Sequence, residues 1–355
     1  MLRSGGPTTP ELMDDQNQRS SSQSAPSRSA AAESGGHAAA TSTPAFAMGD
    51  VIYAACGLAP LSWLLQFGTA YAFAHFTLSG RTRRAVGRNI AAITGDDPSS
   101  ATVRRLVWQA IKTHHVRNVQ LLLAPRTVPR LRQLLPIEGR GHLDAALAQG
   151  RGAILMGAHI NSVVELMGVM ALRELGYDVR TALPGEGARF APTKARAIVN
   201  RLTNTAAFAE LTGAMFAQFN VRPIVNALAA KQIVFMMGDG WHSASFVDVQ
   251  FAGRTVPITT GALSVAALCG APVVPMFAVG TAPDRLRIVL EPAFSVEKGS
   301  PNTDLAQKAQ LFATQVERHV RANLSAWQHC FVEDVFGSMA SWRDRSLRDR
   351  YSIQT

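Results

Sequence analysis

Cysteine is scarce in this chain, with three in 355 residues. Cys56, Cys269 and Cys330 stand alone in apolar stretches, which excludes a disulfide framework or a zinc-ligand spacing. They read instead as small core residues of a domain facing a reducing compartment. Charged residues reach only 17% and acidic ones (25) fall short of basic ones (35), for a formal net charge of +10. No aromatic-basic RNA motif or helix-turn-helix signature accompanies that charge, so nucleic acid gains no specific support as a partner. An anionic membrane surface accounts for it better. A Gly-x-Ser-x-Gly elbow is also missing, which disfavours a hydrolase with a serine nucleophile. No apolar run follows Met1, so the chain does not open on a signal peptide, and no internal repeat is visible.

What is present is apolar: 47% of residues are hydrophobic, enough for a substantial core. Residues 1–47 are the exception, rich in Ser, Ala, Thr and Gly, and are expected to form a disordered tail. An alternative start at Met48 would remove it. Residues 48–80 form a hydrophobic segment that carries no charge from Val51 to Gly80. Pro60 is expected to split that run into two helices that lie in or partly enter one leaflet, a membrane anchor, with a buried core hairpin as the plainer alternative. Arg81, Arg83, Arg84 and Arg88 follow, then Arg104 and Arg105; such a cluster attracts anionic headgroups and keeps its flank cytoplasmic. The main domain is expected over 81–336 and a loose, basic tail over 337–355.

Within the main domain, residues 99–135 read as one or two helices ended by Pro125. Apolar runs predict strands at 153–157, 177–182, 233–238, 273–279 and 285–291. Helical patterns fall at 161–174, 192–201, 222–230 and 259–269, and a final helix runs from Asp304 to Leu324. Alternation of this kind implies an α/β fold: a mixed, largely parallel sheet flanked by helices, with the N-terminal hydrophobic helical anchor attached.

The segment from Ile137 to Glu165 carries the most chemistry. A short amphipathic helix and a Gly-flanked turn lead into Ala153–Met156, a strand apolar enough to be covered on both faces. His159 emerges at its carboxyl end, where open α/β sheets hold ligands. Glu165 lies six positions on, so the pair is placed for general-base work on a hydroxyl. A hydrogen-bonded structural histidine is the plainer alternative.

The surrounding residues resemble the bacterial lysophospholipid acyltransferase-like family that includes the lauroyl and myristoyl transferases of lipid A assembly. Ile137, Glu138, Gly139, His142, Leu143, Ala146, Leu147, Gly150 and Gly152 follow its first block. Asp239, Phe251, Gly253, Gly261, Ala262, Gly270, Ala271, Val274 and Pro275 follow its second, and the resemblance covers roughly residues 50 to 335. It implies a glycerolipid acyltransferase-like fold and an O-acyltransferase. A fatty acyl chain would move from acyl-ACP or acyl-CoA to a hydroxyl of a lipid A precursor or related glycolipid. Neither metal nor cofactor is required by that scheme. The place it implies is the cytoplasmic face of a bacterial inner membrane.

One departure stands out. Five residues separate His159 from Glu165 where the family pattern has four, and each helical residue turns a side chain by about 100°. Three outcomes follow: an irregular first turn near Asn161 to Val164 absorbs the extra residue, Asp239 supplies the carboxylate instead, or the relay is broken. The last would leave a catalytically impaired membrane-surface lipid-binding protein of the same fold. Around this core, Arg189 and Arg254 are candidate phosphate contacts and His242 a further polar candidate. Asn161 and Ser162 either donate to an oxyanion or cap the helix. Met156, Met167, Met170, Met236 and Met237 suit an adaptable acyl slot or plain core filling.

Overall fold

The computed structural model describes residues 59–122, 133–183, 212–216, 220–240, 243, 245–280, 286–297 and 302–341. Arg189, His242, Cys56 and the expected helix at 192–201 lie outside them, as do the 1–47 tail and most of the 337–355 tail.

Seven strands make one sheet. They are β1 (Ile137–Glu138), β2 (Ala153–Gly157), β3 (Val179–Leu183), β4 (Ala214–Phe216), β5 (Ile233–Met237), β8 (Val273–Val279) and β9 (Arg287–Leu290), in the order β1-β9-β8-β2-β5-β3-β4. All neighbours are parallel except β8 and β9. The mixed, mostly parallel sheet expected from the sequence is therefore present. β2 sits between β8 and β5 and is buried along its whole length. Its alternation serves two cores: Ile154 and Met156 pack into one, Ala153 and Leu155 into the other. A strand sandwiched this way has to be apolar throughout, and burying each of its large side chains contributes roughly 1.5–3 kcal/mol.

The second of these layers is built by α4 (Arg140–Leu147) and α5 (Ser162–Glu174), which contribute Leu143, Val164 and Met170. The other layer holds α2 (Gly80–Thr94), α3 (Ala101–Leu122), α6 (Arg222–Ala229), α7 (Gly261–Cys269) and α8 (Asn302–Ala322). It also takes in a hairpin, β6 (Phe246–Phe251) and β7 (Arg254–Thr259), that the sequence reading passed over. Met156, Met167 and Met170 are buried core residues, and Met236 and Met237 pack against the cores. Core filling thus accounts for the methionines. Cys330 is fully buried, and loss of solvation pushes its thiol up, in keeping with a small core residue.

One boundary differs from expectation. The packed chain continues past Phe336, because α9 (Val335–Ala340) buries Val335 and Met339. At the other end, α1 (Leu61–Leu78) starts immediately after Pro60, and Ser79 separates it from α2. Among the described residues no helix is long and apolar enough to cross a membrane. Where α1 meets α3, Ala72 is fully buried and a Cβ on Gly68 would lie 3.1 Å from Val119, while Tyr71 and Phe76 set their rings edge-on to His115 and Trp108. The outer face of α1 carries Trp63 (68% exposed), Phe67 (68%) and Tyr71 (50%), four residues apart. That inverts the pattern of a helix in water, where large apolar side chains turn inward.

Candidate active site

The site forms at the carboxyl ends of the central parallel strands, where β2 and β5 deliver His159 and Asp239 side by side. After Gly157 the chain turns within four residues into α5. Asn161 makes that turn possible by adopting a left-handed conformation (φ 53°), which Asn tolerates better than most residues. Its backbone carbonyl accepts from the N–H groups of Val164 and Glu165 at 2.6 and 3.1 Å, starting the helix.

Asp239 grips His159 twice. The ring Nδ1 lies 2.6 Å from Oδ1, and the His159 backbone N–H donates to Oδ2 at 2.7 Å. With Nδ1–H donating to the carboxylate, the tautomer is fixed and Nε2 is the nitrogen left for a substrate proton. The His159 side chain is 26% exposed while that of Asp239 is 5% exposed, so the base reaches the surface and its carboxylate does not. Burial works to raise the Asp239 carboxyl, but His159 and His329 outweigh it and hold the group well below the usual carboxylate range.

Glu165 takes a different part. The turn at Asn161 does not return Glu165 to His159, whose carboxylate partner is Asp239; Glu165 points under the strand end, where a Cβ on Gly157 would lie 2.9 Å from its Oε2. Its Oε1 accepts a long 3.4 Å bond from the Ala158 N–H, and its Oε2 is buried without a partner. Burial, with Asp239 nearby, pushes its carboxyl well above the ordinary range, which favours its neutral form. Two adjacent carboxyl groups are thus driven apart, that of Asp239 downward beside the histidines and that of Glu165 upward beneath them.

A second histidine completes the cluster. His329, 4% exposed, lies in a 3₁₀ turn (Gln328–Phe331) and its Nε2 pairs with the Asp239 backbone carbonyl at 3.0 Å, with the carboxylate Oδ2 3.2 Å away. Its ring centroid stands 4.6 Å from that of His159. The same C-terminal stretch clasps the His159 loop. Ile160 bridges Trp327, the Gln328 N–H donates to the His159 carbonyl at 2.8 Å, and the Asn161 N–H donates to the Ala326 carbonyl at 2.9 Å. His329 went unnoticed in the sequence because it follows the last long helix and belongs to no local motif.

The remaining candidates fall around this cluster. Asn161 caps nothing with its side chain; its amide donates to Gly280 at 3.1 Å and Ala278 at 3.4 Å, and Arg117 Nε lies 3.5 Å from its Oδ1. Ser162 donates to Gln328 Oε1 at 2.8 Å. Both side chains are therefore engaged in bracing the loop. Arg254 stacks its guanidinium 4.7 Å over the Phe336 ring at the far end of the hairpin.

The donor atoms of His159, Asp239 and His329 lie within 4.8 Å of one another, close enough to consider a metal ion. The 2.6 Å contact is a charge-assisted hydrogen-bond length, however, and both Asp239 oxygens already face N–H groups, which is the arrangement of a proton relay. A cavity of about 20 Å³, roomy enough for about one water, borders Asp239 and His329 among Val249, Val316 and Trp327. A sequence model described as "Bacterial lipid A biosynthesis acyltransferase" matches residues 37–330. No curated protein matches the chain.

Proposed function

Because the chain belongs to the bacterial lipid A biosynthesis acyltransferase family, we propose that its relay deprotonates a glycolipid hydroxyl for attack on a fatty acyl thioester. The donor is acyl-ACP or acyl-CoA, and the acceptor is a lipid A precursor or a related glycolipid. His159 Nε2 takes the hydroxyl proton as the oxygen attacks the thioester carbonyl. Asp239 keeps the ring in the right tautomer and stabilises the imidazolium, which then returns the proton to the leaving thiolate. Glu165, its carboxyl raised by burial, stands outside the relay.

The observation that carries this reading is the 2.6 Å Nδ1–Oδ1 contact at the end of a central strand. It supplies a carboxylate partner for His159 despite the altered Glu165 spacing, and so favours an active enzyme over an impaired lipid-binding protein. Acyl transfer in membranes, with labelled thioester and total lipid extract, tests it. Wild type should label a lipid, and His159→Ala should not.

The proposed setting is the cytoplasmic face of a bacterial inner membrane. Trp63, Phe67 and Tyr71 line the outer face of α1, and exposed Arg84 and Arg88 follow on α2. An apolar stripe beside basic residues suits a helix lying in the plane of an anionic interface. Flotation of the protein with anionic but not neutral vesicles checks this.

A further inference from the structure

One buried carboxylate serves two imidazoles here, and the second has no role in proton abstraction as described. His329 is 4% exposed, and the described contacts of its Nε2 are with Asp239. The backbone around it is pinned from two directions. Asn89 on α2 donates to the carbonyls of Cys330 and Val332 at 2.9 and 2.6 Å, and the Gln328 N–H holds the His159 carbonyl at 2.8 Å. A side chain fixed this firmly against a catalytic carboxylate sets both its position and its share of charge.

We propose that His329 is a positioning residue whose Nε2, seated 3.0 Å from the Asp239 carbonyl and 3.2 Å from its Oδ2, braces the carboxylate and offsets part of its charge, thereby setting how strongly His159 keeps a proton. The proposal rests on the reading of His159 as the base. A hydrogen bond to a carboxylate spreads its charge, so Asp239 stabilises the His159 imidazolium less when His329 donates to it. That loosens the proton on His159 and lets the imidazole act as a base at lower pH. Both protonation states of His329 act in the same direction, because a cationic His329 would also repel a proton on His159.

Other charged or titratable groups near the pair do not substitute for this one. Glu165 on α5 has its carboxyl raised by burial, Arg117 on α3 lies against Asn161 and Gln120, and His114 on α3 meets the Phe331 ring at a tilt with centroids 4.7 Å apart.

The test measures carbethoxylation of His159 against pH in the full-length protein, read on the His159 peptide by mass spectrometry. The reagent, diethyl pyrocarbonate, attacks only unprotonated imidazole, so the midpoint reports His159 without any need for turnover. With His329→Phe or His329→Leu the midpoint should move up by about one pH unit. His329→Gln, whose amide N–H reaches the same carboxylate, should restore the wild-type midpoint. Identical midpoints in all folded variants, or a shift in His329→Gln as large as in His329→Leu, would overturn the proposal. Acyl transfer by the same samples separates the two readings. A wild type that transfers nothing but shows the midpoint shift sinks the enzymatic reading alone. An active wild type with no shift sinks the role of His329 alone.

Discussion

Replacing Asp239 by Asn keeps the shape of the side chain and removes its charge, and the structure says what that costs. The carboxylate accepts from the His159 ring at 2.6 Å and from the His159 backbone at 2.7 Å, and its Oδ2 lies 3.2 Å from His329 Nε2. An amide offers one oxygen for these donors and turns its NH2 against another N–H. At least one charge-assisted bond to His159 is lost, worth about 1.5–3 kcal/mol, and the imidazolium loses its counterion as well. Together these come to roughly 4 kcal/mol in the transition state, or about a thousandfold in kcat. The assay is single-turnover acyl transfer with labelled donor, with circular dichroism confirming the fold. Retention of activity within about threefold of wild type would refute the assignment of Asp239 as the relay carboxylate.

Glu165→Gln should keep transfer within about threefold of wild type, since a carboxyl that favours its neutral form is replaced by a neutral amide. The same variant has a pH signature in denaturant melts. Because the native Glu165 carboxyl is raised, its contribution to wild-type stability is complete below about pH 4 and lost as pH rises through the native value. Glu165→Gln should therefore gain on wild type as pH rises above about 4; a constant difference would mean that the Glu165 carboxyl is not raised. Asp239 has the opposite sign: its carboxyl is lowered, so its contribution is present above about pH 4 and lost below. Asp239→Asn should flatten the acid limb of the stability curve, and an unchanged limb would count against the ion pair. Gly157→Ala places a methyl 2.8 Å from the Phe235 ring and 2.9 Å from Glu165, and should cost about 1–3 kcal/mol in urea unfolding. The triple change Trp63→Ser, Phe67→Ser, Tyr71→Ser should abolish flotation with anionic vesicles while leaving unfolding cooperative; undiminished flotation would rule out α1 as the docking helix.

Much of the sheet was legible because β2, β5 and β8 are buried on both faces and so appear as uninterrupted apolar runs between glycines and turn residues. In the β6–β7 hairpin exposed Asp248 and Gln250 alternate with buried Val249 and Phe251, a period-two pattern, but the run is short and Pro257 inside the opposite strand argues against a sheet position in sequence. His159 could be found from its place at a strand end. Its partner could be named only as one of two carboxylates, since the choice depends on the left-handed turn at Asn161, and nothing in a linear spacing reports that torsion. His329 lay further from reach still. It is 170 residues from His159 in the chain, and only the bridge between Ile160 and Trp327 brings it in.

The most direct test of the central claim is product analysis by mass spectrometry after incubating wild-type membranes, and membranes carrying His159→Ala, with labelled acyl-ACP or acyl-CoA and a lipid A precursor. An acylated precursor from wild type alone is the predicted result. A folded wild-type protein that acylates no lipid with either thioester would contradict it.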